Sequence, residues 1–326
     1  YYSIDGSEIF FLLKDEIMLS KIQNFIHSVP LTKFLFLGYG FIILIGTFLL
    51  SLPISARDRV FTPFGDALFT AASASCVTGL VIHDTYAYWS LFGQIVILIL
   101  IQIGGVGFMS LAIFALTLTK QKIGLKQRFT MVESVNATKL SGIVKMTRFI
   151  LFGSLFFELA GAVLLSVRFI PQLGIATGIY FAVFHSVSSF CNAGIDLMGS
   201  FGNISWLSTA DVDIMFNVTV MALMIAGGLG FFVWEDIREH KLSFRHYRLQ
   251  TKIVLSTSLI LSLGGAVAIM LLEHNSAAYE GLSVGEKMLC SLFQSASART
   301  SGFSAVDLNL YSEAGLSVIS MLMLIG

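Results

Sequence analysis

Four stretches of this chain run for nineteen residues or more without one Asp, Glu, Lys or Arg: 34–52, 89–119, 214–234 and 253–272. A fifth, 149–167, carries only Glu158, and a sixth begins near Ala314 and reaches Gly326, the last residue. The hydrocarbon core of a bilayer needs roughly 20 mostly apolar residues to cross. Charged residues are 12% of the chain, against about 25% in soluble domains. Period-2 alternation is absent, which argues against a transmembrane barrel. The expected fold is therefore an all-α membrane protein.

Net charge is zero, but the charges are segregated. Seven Lys/Arg lie in 120–148, five in 235–252 and three in 1–33. The remaining five are Arg57, Arg59, Arg168, Lys287 and Arg299. Positive residues collect on the cytoplasmic side. The expected topology is a multi-pass protein of the inner (plasma) membrane, with a cytoplasmic N-terminus and both basic loops in the cytoplasm. Topology accounts for the basic loops, so no nucleic-acid partner is inferred. Residues 1–17 set Asp5, Glu8, Asp15 and Glu16 against Lys14. That is unlike the basic start of a cleavable signal, and Met18 reads as a native start. The three cysteines, Cys76, Cys191 and Cys290, form neither a disulfide framework nor a metal-ligand spacing.

Three segments between the apolar stretches are variants of one pattern. They are Phe69…Ser73 followed by Cys76-Val77-Thr78-Gly79-Leu80, Phe184…Ser188 followed by Cys191-Asn192-Ala193-Gly194-Ile195, and Phe293…Ser297 followed by Arg299-Thr300-Ser301-Gly302-Phe303. The glycine falls six, six and five residues after the serine. A short helix leading into a Gly-containing strip at membrane depth suggests a pore loop, in which backbone carbonyls replace the water around an ion. Start signals precede each short helix: Thr62 as cap with Pro63 before 66–75, Gly178 before 181–190, and Ser283 before 287–298. The C-terminal ends of such helices carry partial negative charge, which favours a cation. Glycine admits conformations that let successive carbonyls point inward. The candidate ion ligands are the carbonyls of Cys76, Val77, Thr78 and Gly79, of Cys191, Asn192, Ala193 and Gly194, and of Arg299, Thr300, Ser301 and Gly302.

The organisation that follows is a leader 1–31, a helix–pore loop–helix repeat 32–119, a basic loop 120–148, a second repeat 149–234, a basic loop 235–252, and an incomplete third repeat 253–326. A second repeated word, Gly104-Gly105-Val106-Gly107-Phe108 and Gly227-Gly228-Leu229-Gly230-Phe231, supports the register. It reads as close helix packing, as room beneath a pore loop, or as both. The 31 residues of 89–119 exceed a bilayer's need, so tilt or a break at Gly104-Gly105 is expected.

Single residues carry open readings. Asp84, Asp196 and Asp307 follow the three strips, and the outer segments hold eleven acids against five bases. They are ordinary loop residues or a charge that gathers cations. Glu158 is an intramembrane acid, either functional or paired with a neighbouring helix. Arg299, a cation beside a cation filter, is expected to be tied down by an acid such as Asp307 or by backbone carbonyls rather than to block the pore. His185 reads as a satisfied core histidine rather than an ion ligand. No nucleophile arrangement is present.

Leu68-Phe69-Thr70-Ala71-Ala72-Ser73-Ala74, Val77-Thr78-Gly79-Leu80, Gln102-Ile103-Gly104-Gly105-Val106-Gly107-Phe108, Asn192-Ala193-Gly194, Arg299-Thr300-Ser301-Gly302-Phe303 and Lys122-Ile123-Gly124-Leu125-Lys126 together resemble the KtrB-type membrane subunits of the Ktr/Trk/HKT potassium transporter superfamily. The resemblance implies four KcsA-like helix–pore loop–helix units around a pseudo-fourfold pore, of which just under three are present. The fourth unit and the family's gating loop would lie beyond Gly326. It implies potassium as the transported ion, with sodium coupling an open option, and no cofactor bound by this chain. It also implies a homodimer and a KtrA-like cytoplasmic nucleotide-binding regulatory ring, met by the basic loops. Cys76 stands where the family usually has Thr, and Cys191 where it commonly has Asn. The open alternatives are a sodium-selective or weakly selective channel and, in another class, a non-conducting scaffold or an intramembrane enzyme.

Overall fold

The computed structural model describes residues 31–107, 143–201, 213–241, 243–304 and 306–325. The leader to residue 30 and the expected basic loop up to residue 142 lie outside the described residues. The chain forms two compact units, 1–41 and 42–326. The described part of the first, 31–41, is helical. The second holds all three strips.

Among the described residues the structure is helical, with one isolated antiparallel bridge, Ala56–Trp89. In chain order the helices are α1 (Leu31–Ser51), α2 (Phe64–Cys76), α3 (Leu91–Val106), α4 (Ile143–Leu173), α5 (Ile175–Phe190), α6 (Ile214–Gly228), α7 (Phe231–His240), α8 (Leu249–Glu273), α9 (Val284–Thr300) and α10 (Glu313–Ile325). By length and composition α4 and α8 can each cross a membrane. The apolar run 214–234 is not one straight span. It bends by 92° between α6 and α7, at Gly230, whose φ of +84° no helix tolerates. α3 stops in the same way at Gly107, also at φ +84°. The break expected at Gly104-Gly105 thus falls at the last glycine of the word, and the paired glycines stay helical.

Apolar side chains fill the core, among them Phe181, Phe184 and Phe293, and also cover much of the outside. Large apolar residues such as Phe156, Leu159, Val267 and Leu271 point outward, where lipid would meet them. The short helices α2, α5 and α9 form the centre. Their small and polar residues, Ala67, Ala71, Ser73, Ser186, Ser188, Ser295 and Ser297, are buried. Small side chains let backbones approach where no hydrophobic force operates between helices. The helix that follows one strip packs on the helix that leads into the next, α3 on α5 and α6 on α9.

The helix starts correct two expectations. α2 begins at Phe64, with Pro63 in the cap position and no side-chain cap. Pro63 is extended there (ψ 137°), and Thr62 instead accepts a hydrogen bond from Tyr88 (3.2 Å). α5 begins at Ile175, because Gly174 (φ +81°) makes the turn from α4. Gly178 lies inside α5, where a Cβ would stand 2.7 Å from Ile170 Cα, so its role is close packing against α4. Ser283 caps α9 as expected, in a reciprocal box with Glu286.

Candidate functional site

Each short helix ends in the same closure. Thr78 N–H donates to Ser73 O (2.9 Å), Ala193 N–H to Ser188 O (2.8 Å) and Gly302 N–H to Ser297 O (3.2 Å). These are bonds from residue i+5 back to i, the wider bond of a Schellman ending. They account for the constant serine. Its hydroxyl also holds the chain beyond the strip. Ser188 Oγ donates to Ile195 O (2.5 Å) and Ser297 Oγ to Phe303 O, each the residue after the strip glycine. In the first unit Ser73 Oγ accepts from Thr78 Oγ1 instead (2.9 Å).

The strips then turn left-handed. Gly79, Gly194 and Gly302 have φ of +78°, +65° and +76°. Val77 and Asn192 are also left-handed, at +57° and +58°. For β-branched Val77 this is a strained conformation of about 1–3 kcal/mol. The third strip differs, since Thr300 is still helical and Ser301 caps α9 with φ −103°.

The three strips meet. A Cβ on Gly79 would lie 2.9 Å from Ala193 O and 3.5 Å from Ser301 O. One on Gly194 would run into Ser301 O, and one on Gly302 would lie 4.0 Å from Thr78 O. Thr78, Ala193 and Ser301 are each the residue before a strip glycine. Equivalent carbonyls of three units therefore converge on each other's glycines. The Asn192 amide joins two strips, 3.3 Å from Thr300 Oγ1. With its nitrogen toward Met224 O (3.2 Å) and its oxygen toward Gly228 N (3.1 Å), it also anchors to α6.

The paired glycines seat the second helices against these strips. Gly104 faces Ser75 and Val77 of its own unit, and Gly105 faces Cys191 of the next. Gly227 faces Phe190 of its own unit, and Gly228 faces Thr300 of the next. These contacts bear out the reading of close packing.

Other residues resolve differently. Asp84 caps a one-turn helix through Ala87 N (2.6 Å), Asp196 accepts from Met198 N (2.9 Å) and Asp307 from Asn309 N (3.0 Å). The acid after each strip holds a local turn. Arg299 reaches no carboxylate among the described residues. Its guanidinium donates to Ser258 O (3.3 Å), Ser258 Oγ (3.0 Å) and Ser262 Oγ (3.2 Å) on α8. Glu158 receives Gln102 Nε2 at 3.0 and 3.1 Å, which is the neighbouring-helix pairing. Gln102 was readable as one of two glutamines in a 31-residue uncharged run, but its partner was not. Asp236, Glu239 and His240 bring ligand atoms within 4.8 Å of one another. The cation facing them is Arg248, 3.3 Å from Glu239 and 3.6 Å from Glu235, which joins α7 to the start of α8.

His185 is a core histidine with a defined job. A carbonyl can only accept, so Nδ1–H donates to Phe181 O (2.7 Å), leaving Nε2 to accept Leu197 N–H (3.1 Å). It ties α5 to the chain leaving the second strip. His185→Phe, similar in bulk, is expected to cost about 1–3 kcal/mol through the lost buried bonds, read as a lower thermal midpoint in detergent. An unchanged midpoint would mean that this tie does not stabilise the fold.

Compared with known proteins, residues 41–326 match the family model TrkH, cation transport protein. The chain belongs to the TrkH family of cation transport proteins. Among relatives in this family, it is 40% identical over 289 residues to the potassium/sodium uptake protein NtpJ of Enterococcus hirae, covering 89% of this chain and 63% of that protein. It is 35% identical to the Ktr system potassium uptake protein B of Bacillus subtilis, covering 94% and 67%. It is 36% identical to the protein of the same description from Vibrio alginolyticus, covering 90% and 64%. The resemblance to KtrB-type subunits holds over most of the chain, and the chain spans about two thirds of the length of these relatives. Family membership and outward-facing apolar helices make it a membrane protein of a transporter family, not of an enzyme family.

Proposed function

We propose that this chain forms most of the ion path of a potassium-uptake subunit. The carbonyls of 76–79, 191–194 and 299–302 replace potassium's hydration shell in a selectivity filter. The observation that carries this is the convergence of the carbonyls of Thr78, Ala193 and Ser301 on glycines held at positive φ. Oxygen-lined strips of this kind select a cation by the number and field of their carbonyl dipoles. The helix–pore loop–helix units surround a pseudo-fourfold axis, with the fourth side implied by the resemblance to KtrB-type subunits.

On this proposal the protein is multi-pass in the inner membrane with a cytoplasmic N-terminus. It functions as a homodimer under a KtrA-like nucleotide-binding ring contacted by 120–148 and 235–252. The chain performs no catalysis and holds no cofactor. Potassium is its cargo, and sodium is the coupling ion if transport is coupled. A second reading, weak selectivity or sodium preference, is favoured by Cys76 and Cys191 in the strips and by the potassium/sodium description of the E. hirae relative.

The test uses the full-length protein in a bacterium deficient in potassium uptake. The wild type is expected to restore growth at low potassium. Gly79→Ser places a side chain against Ala193 O, so potassium uptake or its discrimination against sodium should fall. Wild-type kinetics and discrimination in Gly79→Ser would count against the filter. Sodium competing equally in the wild type would favour the second reading.

A further inference from the structure

Behind the second strip lies a buried polar contact between α3 and α4. Glu158, mid-way along α4, is 5% exposed. None of the ion pairs among the described residues includes it. Both its oxygens face Gln102 Nε2 of α3. Ser186 Oγ donates to its main-chain carbonyl (2.6 Å), which sets the register of α4 on α5 five residues before Cys191. The Cys191 thiol, opening the second strip, lies 3.9 Å from Gln102 Oε1 and 4.0 Å from Glu158 Oε1. Gly105, three residues after Gln102, packs on Cys191.

We propose that Glu158 is a positioning residue for the second strip: it orients the Gln102 amide so that an acceptor faces the Cys191 thiol. An amide's two ends are alike in shape and opposite in hydrogen-bonding sense. Both Glu158 oxygens lie at the nitrogen end of Gln102, and an ionised carboxylate there accepts and does not donate, which selects that end. The oxygen is then turned toward Cys191, which can donate S–H. With an amide at 158 that preference is lost. Gln102 can present N–H to the thiol, leaving a buried mismatch at the root of the strip. The effect on ion selectivity rests on the proposed function above. The effect on Cys191 does not.

The test is a swap in the full-length protein reconstituted in liposomes, comparing wild type, Glu158→Gln and the double variant Gln102→Glu/Glu158→Gln. The double variant keeps one carboxylate and one amide and still offers an acceptor to the thiol. Two quantities are read: the potassium-over-sodium uptake ratio, and the rate at which N-ethylmaleimide alkylates Cys191, followed by peptide mass spectrometry. Glu158→Gln is expected to shift each by about three- to tenfold, the worth of one buried hydrogen bond. The double variant is expected to return both toward wild type. Wild-type values in Glu158→Gln overturn the proposal, and so does a double variant no better than the single one. If the wild type shows no preference for potassium, the filter reading fails and the alkylation arm alone decides this inference.

Discussion

Gly194→Ala is expected to abolish most cation uptake while the protein still assembles in the membrane. Two costs combine at this position. A side chain at φ +65° costs about 1–2 kcal/mol in backbone strain, a population shift of about five- to thirtyfold. The added Cβ also runs into Ser301 O, so the second and third strips cannot keep their spacing. Gly302→Ala is the control, since φ is +76° but the nearest cross-strip atom is Thr78 O at 4.0 Å. It should show the strain alone. Uptake by a potassium-uptake-deficient host, normalised to membrane expression, measures both. Equal loss in the two variants would mean that backbone strain accounts for the effect and that the convergence of strips does not.

Gly227→Ala is expected to destabilise the protein, against ordinary helix propensity. In an open helix, Gly to Ala gains about 0.8–1 kcal/mol. Gly227 instead lies against Phe190 O, with the Asn192 amide 3.1 Å from its would-be Cβ. Overpacking of this kind typically costs about 1–3 kcal/mol. Gly264 in α8 has nothing within 4 Å, so Gly264→Ala should be neutral or stabilising. Thermal midpoints in detergent of opposite sign for the two variants are the expected result. A stabilised Gly227→Ala would mean that α6 does not sit on the second strip in this way.

Much of the strips' backbone geometry could be read in the chain. The constant Ser and Gly mark the Schellman closure and the left-handed turn, both local consequences of backbone geometry, so three separated copies repeat them. The glycine pairs were legible as close packing, and uncharged runs as membrane helices. What local pattern misread were the starts of α2 and α5. Gly178 looks like punctuation until α4 lies against it, and Thr62–Pro63 looks like a cap until Tyr88 claims Thr62. The sequence left the aspartates after the strips open between loop residues and a charge that gathers cations, and the structure adds that each accepts a bond from a nearby turn.

The sequence alone thus determined helical structure, as the described residues have it, with membrane-length runs, three strips of like pattern and their order, because hydropathy and turn chemistry depend on neighbours a few residues away. Only the tertiary structure decided that Gly105 and Gly228 touch the following unit's strip, that Asn192 meets Thr300, that Arg299 rests on α8, and that Glu158 meets Gln102. These pairs are separated by 37 to 108 residues. No local propensity specifies such a contact. It arises when close-packed short helices bring distant backbones to van der Waals distance.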